Sequence, residues 1–200
     1  MKSDRSRYSG YRFPPEIISY AVWAYHRFCL SFRDVEDLLA ERGIIVSYET
    51  IRQWCQKFGP GYVRKLKRRE GRLGDHWYLD EVFVRINGQQ QYLWRAVDQD
   101  RDVIDILVQP RRDQRAAERF FRRLLRRQGA EPLRIASHQP TRQRERQMRR
   151  FKSARHAQRF LSLHDAVQNL VQVGRHLMRS SNHRLLRSRS FEVWRTVTVA

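Results

Sequence analysis

The spacing of the apolar residues changes once along the chain, and this change limits the folds that are open to it. Up to about residue 70, apolar residues recur at the three- and four-residue spacing of an α-helix. After the glycine-containing segment 71–75 they alternate with polar residues, as in a β-strand with one buried face. The sequence therefore predicts a mixed protein of the α+β or α/β class, with domains at residues 1–72 and 73–200.

The N-terminal region begins with two well-marked helices. Pro14 and Pro15 open the first, because proline suits the first turn of a helix. Ser31 and Asp34 have the spacing of a capping box at the start of the second. Gly43 follows where a left-handed residue is expected to end it.

A third helix is predicted from Tyr48 to about Phe58, with Ser47 as its N-cap. Gly59 and Pro60 are expected to end it, because proline lacks the backbone N–H that a helix interior uses. The second and third helices, joined by a tight turn that contains a glycine, predict a helix-turn-helix arrangement.

The third helix also separates inward from outward residues. The predicted inward face consists of Ile51, Trp54, Cys55 and Phe58. Arginine and glutamine on the outward face can reach base edges in a major groove, while the basic residues that follow can hold phosphates. The predicted DNA-binding residues are Arg52, Gln53, Gln56, Lys57, Arg64 and Lys65. An ordinary three-helix bundle with a solvated polar face remains the alternative.

Charge favours a polyanionic partner. The chain has 41 Lys and Arg residues against 21 Asp and Glu, which gives a formal net charge of +20. Arginine pairs with phosphate through two hydrogen bonds, and binding releases condensed counterions. Charge alone does not separate DNA from RNA or acidic lipid.

Composition argues against three other kinds of protein. No run of about 18 uncharged apolar residues is present, so we expect no membrane span. The charged first residues lack the apolar stretch of a secretory signal, which predicts a cytoplasmic protein. Cys29 and Cys55 both lie in apolar helical patterns and are expected to be reduced and packed rather than bound to zinc.

The second region predicts three antiparallel strands. The first covers residues 76–84, and Asn87 with Gly88 gives a strong hairpin turn to a partner strand at 91–97. A third strand follows at 103–108. An amphipathic helix comes next, with apolar residues on one face and the remainder covered by Arg115, Arg119, Arg122, Arg123, Arg126 and Arg127.

A short fourth strand is expected at residues 132–135. A three-stranded meander followed by a helix and a fourth strand is how a ribonuclease H-like fold begins. After that strand the sequence offers mainly helical patterns up to its end. The prediction for residues 73–200 is therefore a truncated ribonuclease H-like domain with a helical C-terminal segment.

Several motifs together resemble one family. They are Trp77–Phe83 with Gln91–Asp98, then Arg111–Asp113, Ala116–Phe121, Ser137–Ser153 and His156–Leu161. Over nearly the whole chain this set resembles the transposases of the insertion sequence six family. The resemblance implies an N-terminal helix-turn-helix, a DDE catalytic domain that uses Mg²⁺, and action on the terminal inverted repeats of an element. It also implies a DNA partner, association with the bacterial nucleoid, and self-association or association with an intact transposase.

The resemblance leaves the catalytic site incomplete. Family members carry an Asp at the end of the fourth strand and a Glu before the motif that begins here at Ser137. The expected place of the Asp falls at His138 and that of the Glu at Ile135, so an in-frame deletion is inferred near residues 135–137. Only Asp80 carries over, as the remnant of the catalytic triad and as a weak, incomplete metal site. Glu81, its neighbour on a strand, should point to the opposite face and remain a solvated carboxylate.

Other residues are poor substitutes for the missing acids. Glu145 lies in an arginine-rich stretch and is expected to pair with Arg142 or Arg149. His138 has no partner histidine nearby. The acidic positions between Asp98 and Asp105 lack the glycine and terminal Glu of an EF-hand.

Three functions stay open on this reasoning. The chain is an active transposase, a DNA-binding remnant that regulates or inhibits an intact transposase, or a fragment that binds nucleic acid without sequence preference. The missing block is also expected to leave an open sheet edge. The helix-turn-helix is expected to be less affected, because its core is local, while the C-terminal helices rest on the sheet or mediate association.

Overall fold

The structure is a computed structural model that describes residues 7–69, 76–99, 102–128, 134–137, 151–171 and 179–199, with backbone only at 134–137. Its elements in chain order are α1 (Pro15–Phe28), α2 (Phe32–Ala40), α3 (Tyr48–Lys67), β1 (His76–Ile86), β2 (Gln89–Asp98), β3 (Val103–Gln109), α4 (Gln114–Gln128), β4 (Arg134–Ser137), α5 (Ala154–Val171) and α6 (Ser180–Thr198). The chain forms two compact units. Unit 1 comprises Met1–Leu66 with Leu170–Ala200, and unit 2 comprises Lys67–Asn169.

The local signals at the start of the chain have the predicted effect. Pro14 and Pro15 open α1. The hydroxyl of Ser31 accepts a hydrogen bond from the Asp34 backbone N–H, and the Asp34 carboxylate accepts one from Ser31, which completes the capping box of α2. Gly43 has a φ of +73°, the left-handed conformation expected after that helix.

The predicted end of α3 is wrong. The helix runs through Pro60 and continues to Lys67. Interior proline costs about 3 kcal/mol, because it removes one backbone hydrogen bond. That cost is offset by Tyr62 and Leu66 beyond it, which are both buried in unit 1. Tyr62 lies with its hydroxyl 2.6 Å from that of Tyr8, so the extra turns contribute core contacts.

The C-terminal helix α6 belongs to unit 1, which differs from the predicted division at residue 72. The ring of Trp194 lies 5.4 Å from that of Tyr62, edge to face, and Phe191 meets Trp23 at 5.6 Å. The Tyr8 hydroxyl donates a hydrogen bond to the carbonyl of Thr198. The core of unit 1 is therefore not local, contrary to expectation, because it needs both ends of the sequence.

Unit 2 is built on a four-stranded sheet in the order β3-β2-β1-β4. β1, β2 and β3 form the predicted antiparallel meander, and Asn87 and Gly88 turn between the first two with φ values of +50° and +76°. Such positive values at both positions are typical of a two-residue hairpin turn. On one face Trp77 and Trp94 pack with Phe120 and Leu124 of α4.

The two edge strands of this sheet are β4 and β3. β4 lies two residues later than the predicted 132–135 and pairs in parallel with residues His76–Leu79 of β1. At the other side, α5 closes the free edge of β3 with two amide side chains. Asn169 bonds both the N–H and the carbonyl of Val103 at 2.9 and 3.0 Å. Gln158 bonds the N–H of Val108 and the carbonyl of Ile106 at 2.8 and 3.1 Å. These hydrogen bonds satisfy backbone groups of β3 that would otherwise be free to pair with a strand of another chain.

Candidate functional site

Asp80 lies in the middle of β1, at a position where the side chain is enclosed by the sheet. Its cross-strand partner on β2 is Arg95. The Asp80 side chain is 0% exposed and that of Arg95 is 7% exposed. Nη2 of Arg95 donates a hydrogen bond to Oδ2 of Asp80, which makes a buried ion pair. The guanidinium therefore already supplies the positive charge that this carboxylate requires.

The second oxygen of Asp80 is buried as well. Oδ1 has no hydrogen-bond partner among the atoms that the structure describes, and neither does Nε of Arg95. β4 approaches from the other side, but the last described pair joins Leu79 to Ser137, one residue short of Asp80. One carboxylate oxygen thus remains available, in an enclosed position.

The groups around Asp80 do not fit a two-metal centre. Glu81 follows on the opposite face of β1, as predicted, but it is only 25% exposed and pairs with Nε of Arg112 rather than being simply solvated. Within the described ranges, no group of three or more His, Cys, Asp or Glu side chains is placed to hold a metal ion. Mg²⁺ gives up its waters only where several hard oxygen ligands converge. The pairing of Asp80 with Arg95 opposes such binding.

A second buried carboxylate is Asp105 on β3, which the sequence indicated only as one of the acidic positions between Asp98 and Asp105. It is 2% exposed. Arg123 reaches it through Nε at 2.9 Å and Nη2 at 3.3 Å, and Arg127 reaches it through Nη1 at 2.7 Å. Nζ of Lys67 lies 3.7 Å away. Three cations thus share one carboxylate, which anchors α4 to the sheet. A lone Asp in an apolar strand, followed by arginines four residues apart on a helix, is the signal that could have predicted this.

The other acidic positions near that hairpin are occupied differently. Oδ1 of Asp98 accepts a hydrogen bond from the backbone N–H of Asp102 at 2.9 Å, which closes the turn between β2 and β3. Asp100 lies outside the described residues. His138, Glu145, Arg142 and Arg149 also lie outside them, and Ile135 is described only by its backbone.

The two faces of α3 lie as predicted. Ile51, Trp54, Cys55 and Phe58 are buried. On the other side Gln53, Gln56, Lys57 and Arg64 are exposed, while Arg52 and Lys65 are partly exposed. Burial raises the pKa of the Cys55 thiol far above its usual value, which agrees with a packed and reduced cysteine.

Several outward residues of α3 already have partners. Nε of Arg52 donates to Oε2 of Glu49 at 2.8 Å, and this hydrogen bond raises the pKa of the guanidinium above its ordinary value. Gln53 reaches Oε1 of the same Glu49 at 3.4 Å. Nζ of Lys57 lies 4.6 Å from the centre of the Tyr11 ring, a cation–π contact. These contacts hold three of the predicted DNA-binding side chains in defined positions.

A link between α2 and α3 was missed at the sequence level. The carboxylate of Glu36 accepts a hydrogen bond from the backbone N–H of Tyr48 at 3.1 Å. The predicted N-cap, Ser47, accepts one from Thr50 at 3.3 Å. Together they satisfy two of the free N–H groups at the start of α3 and tie its first turn to α2.

Residues 74–137, which include Asp80, Arg95 and Asp105, match a family model described as a DDE domain, of the IS240 type. This region is similar to a DDE transposase domain. We call residues 74–137 the DDE-like region.

Curated relatives extend the similarity beyond the DDE-like region. The transposase for insertion sequence-like element IS431mec of Staphylococcus aureus is 33% identical over 118 residues, which cover 59% of this chain and 53% of the relative. The transposase for insertion sequence element IS257 in transposon Tn4003, also of Staphylococcus aureus, is 32% identical over the same coverage. An uncharacterized protein of Yersinia pseudotuberculosis, pYV0051, is 37% identical over 49 residues. The chain spans about half the length of the transposases it matches.

Membrane insertion has no candidate element in the described part of the chain. None of the helices there combines the length and the apolar character that crossing a bilayer requires.

Proposed function

We propose that this chain is a protein derived from an insertion sequence transposase that binds DNA through α3 and does not cut it. Its targets are the terminal inverted repeats of its element. The observation that carries the proposal is the buried ion pair between Asp80 and Arg95, which occupies the single retained catalytic carboxylate.

The chemistry of strand cleavage explains why this pair matters. In two-metal nucleotidyl transfer, bound ions activate the attacking oxygen and stabilise the leaving oxygen. Asp80 offers one free, enclosed oxygen and has no neighbouring acid on its own face of β1 among the described residues. An in-frame deletion near residues 135–137 accounts for the absence of the second Asp and the Glu. The product of such a deletion keeps the fold of the sheet without its metal ligands.

The DNA-binding part of the proposal rests on α2 and α3 as a helix-turn-helix. Glu36 joins the two helices at the first turn of α3, and the outward residues follow directly after it. Glu49 holds Arg52 and Gln53 side by side, so both side chains are ordered before DNA arrives. Ordered side chains lose less conformational entropy on binding. A chain that holds the repeats without cutting them would compete with an intact transposase, either as a homo-oligomer or in a mixed assembly.

The direct experiment incubates the purified chain with duplex DNA that carries an element end, in magnesium buffer. We expect a salt-sensitive complex on the inverted repeat and no nicked or joined product. Cleavage that disappears in the Asp80→Ala variant would instead establish an active enzyme. Equal affinity for the repeat, a shuffled duplex and RNA would establish a non-specific nucleic-acid-binding fragment.

Variants of α3 test the recognition helix. Arg52→Ala or Gln53→Ala should cost about 1–3 kcal/mol on the repeat and much less on shuffled DNA, because each removes a base contact. Lys57→Ala or Arg64→Ala should weaken both complexes alike and reduce the salt slope by about 1. Arg195→Ala, an exposed residue of α6, is the control. If all four α3 variants weaken both complexes equally, α3 is not the recognition helix.

A further inference from the structure

A row of arginines on α4 is not used by any part of the proposed function. Arg115, Arg119, Arg122 and Arg126 are exposed and follow one another at four-, three- and four-residue spacing. At about 100° per residue they fall within about 60° of the helix circumference. We call these four residues the arginine stripe.

The orientation of the arginine stripe is fixed by the opposite side of α4. Ala116, Phe120 and Leu124 are 0% exposed and pack against the sheet. Arg123 and Arg127 are held by Asp105 of the sheet. The helix therefore cannot turn Arg115, Arg122 and Arg126 inward.

Few negative charges accompany the arginine stripe. Glu118 is the single acidic residue of α4, and it lies 3.9 Å from Arg122 in an exposed pair. Arg119 donates to the neutral Oε1 of Gln109 at 2.9 Å. Arg115 and Arg126 have no ionic partner among the described residues. Like charges three and four residues apart on a helix repel one another and destabilise the helix. A bound polyanion would reduce this repulsion.

The dimensions of the arginine stripe suit a nucleic-acid backbone. Arg115 and Arg126 are eleven positions apart on the α-helix, a separation of about 16 Å along its axis. One strand of duplex DNA presents about five phosphates over that length, at about 3.4 Å of helix axis each. Guanidinium groups bind phosphate through two parallel hydrogen bonds, and all the cations on α4 are arginines.

We infer that the arginine stripe is a second DNA-contact surface, which holds the phosphate backbone and adds affinity without sequence preference. The choice of DNA as the polyanion rests on the proposed function. In this scheme α3 selects the sequence, while α4 adds phosphate contacts that the selection does not depend on.

The test measures binding of the full chain to random-sequence duplex DNA between about 50 and 200 mM salt. The triple variant Arg115→Gln/Arg122→Gln/Arg126→Gln should make the slope of log affinity against log salt less negative by about 2–3, since each phosphate contact contributes about 0.9. The preference for the inverted repeat over random DNA should stay unchanged. The matching triple Arg115→Lys/Arg122→Lys/Arg126→Lys should keep the slope and bind more weakly than the original chain.

A control variant separates this surface from net charge. Arg184→Gln/Arg187→Gln/Arg189→Gln removes three exposed arginines from α6 and changes the net charge equally. An equal change of slope in this control would overturn the inference, as would an unchanged slope in the α4 variant whose circular dichroism shows that it is folded. The inference would also be overturned if the α4 variant lost binding to RNA or to acidic phospholipid vesicles while its binding to DNA stayed unchanged. The preference for the inverted repeat tests a different point. Its loss only in the α3 variants would support the proposed function, and its absence from the original chain would contradict the proposed function, and neither result bears on the arginine stripe.

Discussion

Unit 1 and unit 2 hold their interiors together by different means. In unit 1 the rings of Tyr8, Phe58, Tyr62 and Trp194 meet in tilted, stacked and edge-to-face contacts, so residues from both ends of the chain share one apolar core. In unit 2 an apolar cluster between the sheet and α4 is accompanied by buried carboxylates with arginine partners. Unit 1 is therefore expected to be sensitive to lost volume, and unit 2 to lost charge.

The same contrast applies to the outward-facing arginines. In α3 of unit 1, Arg52 is paired with Glu49, and this pairing orders it. In α4 of unit 2, six arginines accompany one acidic residue. Ordered, partly neutralised side chains suit selection between sequences, whereas unneutralised charge suits affinity for any phosphate backbone.

The largest effect is expected from Trp194→Ala, which tests the aromatic core of unit 1. Trp194 is 5% exposed, and its loss should lower the free energy of unfolding by about 3–5 kcal/mol. Denaturant titration followed by near-ultraviolet circular dichroism measures this. Leu185→Ala on the same helix is the control, because Leu185 is 52% exposed and its truncation should cost about 0.5 kcal/mol or less. If Trp194→Ala lowered the free energy of unfolding as little as Leu185→Ala, Trp194 would not contribute to the core of unit 1.

Asp105→Asn tests the charge-based interior of unit 2 and ranks second. The variant leaves Lys67, Arg123 and Arg127 facing one another around a neutral amide. Removing one partner of a fully buried pair costs about 3–5 kcal/mol, and because these cations are partly exposed we expect about 2–4 kcal/mol. Added salt should recover part of it by screening the repulsion. Glu118→Gln, which breaks an exposed pair, is the control, and an equal loss there would contradict the special role of Asp105.

A smaller effect is expected from Ser31→Ala in unit 1, at the capping box of α2. Loss of the hydrogen bond to the Asp34 N–H should destabilise unit 1 by about 1 kcal/mol. Thermal unfolding of this variant is compared with that of Ser188→Ala, an exposed site inside α6 where alanine favours the helix. If Ser31→Ala is as stable as the control, the cap adds nothing measurable.

The smallest effect concerns pH and unit 2. Burial and the neighbouring Lys152 ammonium lower the pKa of His156 below its ordinary value. The unfolded chain therefore binds this proton more readily than the folded chain, so the contribution to stability is complete above the ordinary pKa of about 6.5 and is lost as pH falls through the interval down to the folded value. Urea midpoints at a series of pH values should decrease less on acidification in His156→Gln than in the original chain. Parallel curves would show that His156 does not carry this dependence.

Local structure followed from short-range signals. Ser31 with Asp34, Gly43, and Asn87 with Gly88 act through hydrogen bonds and backbone angles within a few residues, and all three predictions are confirmed. The alternation after residue 75 likewise gave the antiparallel strands. Such features depend little on distant parts of the chain, so sequence is sufficient for them.

Long-range packing changed two predictions. Pro60 carries a strong helix-ending signal, yet contacts of Tyr62 with Tyr8 and Trp194 extend α3 beyond it. The place of α6 in unit 1 follows from the contact of Tyr62 with Trp194, which are more than a hundred positions apart. Local propensity has no information about partners at that distance.

The sequence predicted which residues belong to the candidate site, but not which partners their side chains have in the fold. The sequence identified Asp80, and it placed Arg52 and Gln53 on the outward face of α3. It did not indicate that Arg95 holds Asp80, that Glu49 holds Arg52, or that Asp105 gathers three cations. Each of these pairs depends on strand register or on helix orientation.

By itself the sequence determined the periodicities, the caps and turns, the basic charge and the motifs similar to transposases, because these depend on residue type and spacing along the chain. The tertiary structure alone decided which charges meet and which termini share a core. Burial sets whether a carboxylate is free to bind a ligand, and burial is a property of the folded neighbourhood. The resemblance of its motif implies that Asp80 is a metal ligand. In the folded sheet Asp80 is the ion-pair partner of Arg95.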